Sequence, residues 1–378
     1  MSGQLLSFLA DVPDPRLERK RLHPLPTILG IALCAVICGA DSFVGMEEYG
    51  QSKYDWLASW LPLPNGIPSH DTFARVFARL EPQAFGQCLR TLARSLASGS
   101  ESHIALDGKY LRHSFDTASE QSAWVMLSAW ASDQRLVLGS VAVDLKSNEI
   151  TAIPVLLKSL ELEGCVVTID AMGCQTNIAR EIVEAGGQYV LALKGNHGNI
   201  HQDVQALFAH AVEKRWEDRP HQFAQTQDWE HGRTEIRRCW QVNLSELYGT
   251  WDDAVEQWKG LASLIRLESE RTVGGVTTQE VRYYLSSLAG DVRRALQAIR
   301  QHWGIENSVH WVLDVAFDED DCRIRKDHAP VNMATLRQMA LNLLRQETTC
   351  KKGFAVKRGK AGWDNAYLHK ILNNASQF

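Results

Sequence analysis

The stretch CVVTIDAMGCQTNIAREIVEAGGQYVLALKGN, residues 165–196, decides the fold class. Residues 165–169 form an apolar run typical of a buried strand. Residues 175–185 have the apolar spacing of a helix, and Gly186-Gly187 is a stop signal for it. Residues 188–193 are a second apolar run of strand length. A strand, a helix and a strand in succession predict an α/β sheet.

Three shorter apolar runs come before this stretch and extend the predicted sheet. Residues 103–106, 123–132 and 136–144 each have strand length, and the turn-like Asp133-Gln134 separates the last two. Runs of this kind predict a three-strand meander. The chain thus has a run of strands first and alternates strands with helices afterwards, which is typical of a mixed α/β sheet.

The N-terminal part of the chain has the apolar spacing of helices. Residues 29–39 predict the first strong helix, residues 46–61 an amphipathic helix, and residues 72–80 a third helix that Ser69 or Asp71 can cap. Short helices joined by a tight turn fit a DNA-binding helix-turn-helix, but they also fit any helical bundle.

A different pattern begins after the second βα unit. The β-type runs are residues 234–242, 261–271 and 280–288. Gly274-Gly275 is a hairpin signal between the last two, so we expect a β-rich insertion. Residues 291–315 then predict one long helix with Asp291 as its N-cap.

These patterns divide the chain into five segments, and 378 residues call for two or three structural units. The segments are a helical N-terminal domain (residues 1–100), the first part of an α/β core (101–212), the β-rich insertion (213–288), the second part of the core with the Glu306 helix (289–345) and a basic C-terminal segment (346–378).

Charge is unevenly distributed along a chain whose formal net charge is −5 and whose pI is about 6.2. A net acidic chain disfavours nucleic acid as a partner, because most nucleic-acid binders are basic. Between Arg323 and Lys360, however, ten Lys or Arg residues accompany only two acids. Phosphates respond to the local field, so this segment can bind DNA; a solvated surface is the competing interpretation.

Cysteine usage and hydropathy predict an intracellular protein. The eight cysteines include no Cys-x-x-Cys pair, which is typical of a reduced, cytosolic protein without a zinc finger. The N-terminus lacks the features of a signal peptide. The apolar run at residues 28–40 is too short to span a bilayer, so we expect a buried helix and no membrane partner.

Three acidic residues lie where chemistry is expected. Asp107 and Asp170 each follow an apolar run, and ligands of α/β sheets bind at strand ends; Glu306 lies on the late helix. Carboxylates brought together need a counter-cation, and oxygen ligands suit Mg²⁺ or Mn²⁺. Each acid alone has an ordinary alternative: a turn for Asp107, a turn or helix cap for Asp170, and an exposed surface for Glu306.

Long blocks of the chain resemble insertion-sequence transposases of the H-repeat-associated (ISAs-type) family. The blocks are ALDGKYLRHS (105–114), TIDAMGCQTNIAREI (168–182), YVLALKGNHGNIHQDV (189–204), HGRTEIRR (231–238), ESERTVGGVTTQEVRYYLSSL (268–288) and HWGIENSVHWVLDVAFDEDDCRIRKDHAPVNMATLRQMALNLL (302–344). Residues 14–43 resemble the helical domain that accompanies the family's catalytic domain. The resemblance covers nearly the whole chain.

The resemblance implies a DDE transposase on an RNase H-like mixed sheet flanked by helices. Asp107, Asp170 and Glu306 match the family's triad, which implies that they hold two Mg²⁺ ions, with Mn²⁺ as a substitute. The implied reaction hydrolyses a DNA strand at the element's end, and the resulting 3′-OH then attacks target DNA. The implied partner is double-stranded DNA, bound by a homodimer in the bacterial cytoplasm, at the nucleoid.

One departure from broader relatives concerns the DNA contacts. Those relatives carry a Tyr and an Arg before the Glu and a Lys after it, whereas this chain has His302 four residues before Glu306 and Leu313 seven after it. Phosphate contacts are therefore expected elsewhere in the chain or from His302 itself. The candidates are Arg300, His302, Arg323, Arg325, Lys326, Lys351, Lys352, Lys357, Arg358 and Lys360. Two alternatives to a transposase stay open: a nuclease that cuts without joining, and a non-catalytic DNA-binding relic.

Overall fold

The computed structural model of the chain describes residues 2–99, 101–115, 122–144, 149–230, 232–247 and 251–373. The chain forms two compact units, each built from segments that are distant in sequence. The first unit contains Met1–Ser100, Gly108–Ala152 and Ile305–Phe378, and the second contains Glu101–Asp107 and Ile153–Gly304.

Helices dominate both ends of the chain, and strands lie between them. The helices are α1 (Ser2–Ala10), α2 (Leu25–Ile37), α3 (Phe43–Ser52), α4 (Tyr54–Ala58), α5 (His70–Arg79), α6 (Pro82–Leu96), α7 (Glu149–Leu157), α8 (Thr176–Glu184), α9 (Asn199–Glu213), α10 (Asp252–Gln257), α11 (Val292–Ile305), α12 (Trp311–Phe317), α13 (Ala329–Gln346), α14 (Phe354–Trp363) and α15 (Asn365–Asn373). The strands are β1 (His103–Tyr110), β2 (Trp124–Ala131), β3 (Leu136–Asp144), β4 (Val166–Ile169), β5 (Gln188–Leu193), β6 (Gln222–Glu230), β7 (Arg233–Asn243), β8 (Ser263–Val273) and β9 (Val276–Ser286).

The second unit is a mixed sheet with helix α11 packed on one face. Its hydrogen-bonded order is β1-β4-β5-β9-β8-β7-β6; β1, β4 and β5 run parallel, and the remaining pairs are antiparallel. Leu296 and Ile299 of α11 are buried in one apolar cluster with Val166 and Val190 of the sheet. Full burial stabilises each such side chain by about 1.5–3 kcal/mol. The predicted mixed α/β class is therefore confirmed.

In the first unit, β2 and β3 pair antiparallel, and α2 and α13 provide much of the apolar interior. Asn342 of α13 completes the hydrogen bonding of β3: its amide nitrogen donates to the Val137 carbonyl and its oxygen accepts from the Val137 N–H, both at 2.9 Å. A side-chain amide can do this because it carries the same donor and acceptor as a peptide group.

The expectation of a buried helix in the apolar run at residues 28–40 is confirmed for residues 28–37, which lie in α2; residues 38–40 follow the end of that helix. None of the helices within the described residues is both long enough and apolar enough to cross a bilayer.

Several stretches differ from the sequence-based expectation. The single helix predicted for residues 291–315 is interrupted by a π-helical stretch, Glu306–His310, between α11 and α12. The amphipathic stretch at residues 46–61 is divided into α3 and α4 at Lys53, whose Nζ donates to Asn365 Oδ1 at 2.7 Å. Strand β6 has no counterpart among the predicted strands, because its sequence QFAQTQDWE is mostly polar. It becomes a strand by pairing along its whole length with β7.

The predicted basic C-terminal segment folds into α14 and α15, and its last five residues lie outside the described part of the chain. Its residue Glu347 is fully buried. The Tyr367 hydroxyl donates to Glu347 Oε2 at 2.8 Å, and the backbone N–H groups of Thr349 and Cys350 donate to its carboxylate at 2.9 and 3.1 Å. Burial alone would raise the pKa of Glu347, but a hydrogen bond from the Thr349 hydroxyl, together with those from Tyr367 and the two N–H groups, lowers it to about 2.

Glu347 should therefore make stability depend on pH. Its pKa is about 2 in the folded protein against an ordinary 4.5, so the carboxylate stabilises the fold above pH 4.5, and this stabilisation is lost as the pH falls towards 2. We expect the urea midpoint of the wild type to fall more steeply from about pH 5 to about pH 3 than that of Glu347→Gln, whose amide does not titrate.

Tryptophan fluorescence in urea titrations at stepped pH measures these midpoints. The control is Glu48→Gln, which changes an exposed carboxylate on α3 and should follow the wild type. Parallel pH profiles for the wild type and Glu347→Gln would contradict the assignment.

Candidate active site

Asp107 and Asp170 lie side by side in the second unit. Strands β1 and β4 are parallel neighbours whose last paired residues are Leu106 and Ile169, so the next residue along each chain is one of the two acids. Adjacent strands are about 4.8 Å apart. Both aspartates are partly exposed. The predicted end of the first strand at Leu106 is too early: β1 continues to Tyr110, and Asp107 lies where it loses β4 as a neighbour.

Side-chain alternation sets the face of the sheet on which the two acids lie. Val166 and Thr168 precede Asp170 at steps of two, and strand side chains at this spacing share a face. Val166 packs in the apolar cluster with α11. Asp107 has the same register as Asp170, so both acids belong to the face that α11 covers. Helix α11 ends one residue before Glu306.

The turn after Asp170 requires a small residue. The backbone N–H of Met172 donates to Asp170 Oδ1 at 3.1 Å, which is an Asx-type turn. A Cβ atom at Gly173 would lie 2.2 Å from Ile169 Cγ2 and 2.9 Å from Ile153 Cδ1. With any other residue at this position, the side chain of Ile169, which directly precedes Asp170, would have to shift.

The donor chemistry of this pair fits a divalent cation. Carboxylate oxygens are the ligands that Mg²⁺ and Mn²⁺ prefer. Cys174 is close to Asp170 in sequence, but burial raises the pKa of its thiol, so it supplies no thiolate to select a softer metal.

Glu306 belongs to the first unit, where it begins a five-residue π-helical stretch, Glu306–His310. Single π turns inside helices are frequent at functional sites. Its Oε2 is 3.2 Å from Nδ1 of the buried His310, and its side chain is 53% exposed. The hydrogen bond with His310 lowers the pKa of Glu306, and the charges of His310 and Lys109 act in the same direction. Glu306 is therefore an ionised carboxylate at neutral pH.

A buried ion-pair cluster surrounds Lys109 in the first unit. Lys109 Nζ donates to Asp314 of α12 and, at 3.0 Å, to Glu319 Oε2; Asp320 Oδ1 is 3.7 Å away. Only 10% of the Lys109 side chain and 2% of the Glu319 side chain are exposed. Burial lowers the pKa of Lys109, but Glu319 and Asp314 raise it further, so the net shift is upward and the lysine stays charged.

Sequence reasoning did not single out Lys109 or assign His310 to the site. The spacing alone offered a signal: Lys109 stands two residues after Asp107, and His310 stands one helical turn after Glu306. Neither signal is specific without the tertiary structure.

The predicted DNA contacts fall into three groups. The exposed group is Arg323, Lys326, Lys351 and Lys352. In a second group, the cation already has a protein partner: Arg300 Nη2 is 2.7 Å from Asp228 Oδ1, Arg325 Nε donates to the His113 carbonyl at 3.1 Å, and Lys360 Nζ lies 4.3 Å from the Tyr367 ring centre. His302 belongs to this group, because its Nδ1 is 3.0 Å from Thr168 Oγ1.

The third group, Lys357 and Arg358, is buried, which corrects the expectation that both face DNA. Lys357 Nζ donates to the carbonyls of Leu344 and Glu347, and Arg358 donates to the Val36 and Ala316 carbonyls and pairs with Asp41 at 2.7 Å. The sequence run is basic, but these two side chains are buried and donate hydrogen bonds to backbone carbonyls of the first unit. They therefore have no access to a phosphate.

Two families match the chain. The family described as "DDE_Tnp_1-associated" matches residues 6–93, and the "Transposase DDE domain" matches residues 98–343. The H repeat-associated putative transposase YhhI of Escherichia coli K12 is 37% identical over 377 residues, which are 98% of this chain and 97% of that protein.

Two further relatives match very different shares of this chain. The putative transposase YncI of Escherichia coli O157:H7 is 37% identical over 380 residues, 99% of this chain and 95% of its own length. A protein named as an inactive transposase, YbfQ of Escherichia coli K12, is 38% identical over only 76 residues, 20% of this chain and 90% of its own length.

Replacing Lys109 should destabilise the first unit strongly. Lys109→Met removes the hydrogen-bonded cation of the buried Glu319 carboxylate and leaves it Arg337, whose Nη1 is 3.9 Å from Oε1; breaking a buried pair costs up to about 3–5 kcal/mol. The control is Arg112→Met, whose arginine is 72% exposed beside Asp320 and should cost less than about 1 kcal/mol. Urea unfolding measures both. A Lys109→Met loss no larger than that of Arg112→Met would show that the cluster is not stabilising.

Proposed function

The chain belongs to the DDE transposase family, and from that premise we propose that it cuts DNA at the ends of an insertion sequence and joins the cut ends to target DNA. Asp107, Asp170 and Glu306 are the proposed catalytic residues. The observation that carries the proposal is the position of Asp107 and Asp170, one residue beyond the last matched pair of two parallel strands.

The three acids are proposed to hold divalent cations, preferably two Mg²⁺ ions with Mn²⁺ as a substitute. When bound, such ions supply Lewis-acid stabilisation to the attacking and leaving oxygens of a phosphodiester. Asp107 and Asp170 provide the oxygen ligands on the sheet, and Glu306 supplies the third carboxylate. Its lowered pKa favours this role, because a protonated carboxyl would be a poor ligand at neutral pH.

The proposed reaction has two phosphoryl transfers. In cleavage, water attacks a phosphorus atom at the element's end, and the 3′-oxygen leaves as a hydroxyl. In joining, that 3′-hydroxyl attacks a phosphorus atom of target DNA and displaces a target 3′-oxygen. Both transfers need one site for the attacking oxygen and one for the leaving oxygen, so one set of carboxylates can serve both. An insertion sequence has two ends, which calls for two copies of the chain on double-stranded DNA, and the proposed setting is the bacterial nucleoid.

The exposed cations Arg323, Lys326, Lys351 and Lys352 are the proposed phosphate contacts. They lie in the stretch of sequence where Lys and Arg exceed acids, and all four residues are exposed. A local excess of positive charge can bind DNA even though the chain as a whole carries −5.

A non-catalytic relic is the second candidate, because one relative is named as inactive. That relative covers a fifth of this chain, whereas this chain carries all three acids. A nuclease that cannot join strands is the third. Supplying an oligonucleotide with a pre-cut 3′-OH end separates them: a transposase joins it to target DNA, a nuclease only cuts uncut ends, and a relic does neither.

Asp107→Asn and Asp170→Asn should each reduce Mg²⁺-dependent cleavage at least about 100-fold, since loss of even an outer-shell partner of a metal costs about 10- to 100-fold. DNA affinity should be unchanged, because the acids are not phosphate contacts. The control is Asp253→Asn, an exposed aspartate on α10 of the same unit. Cleavage of end DNA on denaturing gels and DNA binding by fluorescence anisotropy give the two readouts. Wild-type cleavage rates in Asp107→Asn would overturn the site.

The double variant Lys351→Gln/Lys352→Gln should weaken the salt dependence of DNA binding. Each lost phosphate contact lowers the slope of log K against log salt concentration by about 0.9, so two contacts should lower it by about 1.8. Anisotropy titrations at several salt concentrations measure the slope, with Lys259→Gln as an exposed lysine control. An unchanged slope would remove these lysines from the DNA surface.

A further inference from the structure

Three polar side chains of the second unit form a connected hydrogen-bonded trio, called here the His-Thr-His anchor. His103 Nε2 is 2.9 Å from Thr168 Oγ1, and Thr168 Oγ1 is 3.0 Å from His302 Nδ1. His103 and Thr168 are 2% and 3% exposed, and His302 is half-buried. The anchor therefore joins strand β1, strand β4 and helix α11 through side chains that have little access to water.

Each member of the anchor shares a segment with one of the three acids. His103 is four residues before Asp107 on β1, and Thr168 is two residues before Asp170 at the end of β4. His302 is four residues before Glu306, which is about one helical turn. One trio of side chains thus contacts all three elements that lead into the proposed active site.

The chemistry of the trio makes it directional. A threonine hydroxyl has one proton to donate and can accept another, so one imidazole nitrogen donates to Thr168 and the other accepts from it. A member that rotated away would leave a buried polar atom without its partner, which is unfavourable. The anchor therefore holds α11 at one rotation and one height on the sheet.

Arg294 and Arg300 of α11 also make polar contacts, at 3.1 and 2.7 Å, but through long side chains near the protein surface, which fix a helix less tightly than a buried contact does. Leu296 and Ile299 bury apolar area against the sheet, and such packing is non-directional. A displacement of about 1 Å at a reacting group can cost about 100-fold in rate. The end of α11 must consequently be fixed by a contact that is both directional and buried, as the anchor is.

We propose that the His-Thr-His anchor is a positioning device for the active site, and that His302 acts through Thr168 rather than by contacting DNA. The inference rests on the proposed function, because it assigns Glu306 to the same site as Asp107 and Asp170. The anchor fixes the position of the last turn of α11, which directly precedes Glu306 in the chain. In this proposal, His302, where the chain departs from broader relatives, hydrogen-bonds to Thr168 within the protein and does not contact a DNA phosphate.

Thr168→Val and Thr168→Ser test the anchor in the full chain. Valine has the shape of threonine without the hydroxyl, and serine keeps the hydroxyl. Thr168→Val should lower the Mg²⁺-dependent cleavage rate about 10- to 100-fold and weaken Mn²⁺ binding, measured by electron paramagnetic resonance without DNA. Thr168→Ser should restore both to within a few-fold. DNA affinity and its salt slope should be unchanged in both variants.

A spectroscopic readout makes the test independent of activity. The imidazole ¹⁵N shifts of His103 and His302 report which nitrogens carry protons, and they should change in Thr168→Val and remain in Thr168→Ser. His302→Asn, whose amide can reach Thr168 from the position of Nδ1, should retain more cleavage than His302→Leu. This pair carries the test if Thr168→Val does not fold. His369→Leu, an exposed histidine of the first unit, is the control.

The outcomes separate this inference from the proposed function. If the wild type cleaves DNA and Thr168→Val matches it in cleavage rate and Mn²⁺ binding, the anchor does not position the site and the function stands. Equal impairment of Thr168→Ser and Thr168→Val also overturns the inference. A salt slope lowered by about 0.9 in His302→Asn would return His302 to the phosphate contacts. If the wild type shows no metal-dependent cleavage, the function fails, while the ¹⁵N shifts and Mn²⁺ binding still decide the anchor.

Discussion

The carboxyl groups of Asp107 and Asp170 follow two neighbouring parallel strands, at the point where β1 loses β4 as a neighbour. Parallel pairing places Asp107 and Asp170 at matched positions in the two strands. The backbone positions of the two residues are therefore fixed, and only their side chains can move apart. Carboxylate oxygens at neighbouring strand ends are the ligands that a divalent ion prefers, so the proposed site depends on this pairing of strands. Gly173 belongs to the same constraint, because a Cβ at that position would collide with Ile169 at the strand end.

Residues shortly before and shortly after Glu306 in sequence make directional polar contacts. The contact before Glu306 lies within the second unit, and the contact after it lies within the first unit. In the second unit, His302 is hydrogen-bonded to Thr168 of β4 before α11 ends. In the first unit, Asp314 of α12 pairs with Lys109. Apolar burial supplies most of the stability of these helices, but it does not select one rotation of a helix. Buried hydrogen bonds and ion pairs do, because leaving one unpaired costs about 1–3 kcal/mol or more.

The basic C-terminal segment illustrates the difference between a charge in a sequence and a charge at a surface. Lys357 and Arg358 lie in the same basic run as Lys351 and Lys352, yet their cations bind carbonyls at the ends of packed helices. Helix carbonyls at a C-terminus lack partners within the helix, and a long cationic side chain can satisfy them. Only the exposed members of the run remain candidates for phosphate.

The sequence by itself determined the mixed α/β class of the sheet and the helical character of residues 292–317, because apolar periodicity and glycine stop signals are local properties. It also selected Asp107, Asp170 and Glu306, by strand ends and by resemblance to the family. Local pattern could not reveal strand β6, which exists only through pairing with β7, nor the break at Lys53, which a distant asparagine holds. Tertiary structure alone decided that Lys109 is buried among acids, that Arg358 faces inward and that His302 binds Thr168, since each depends on partners more than a hundred residues away.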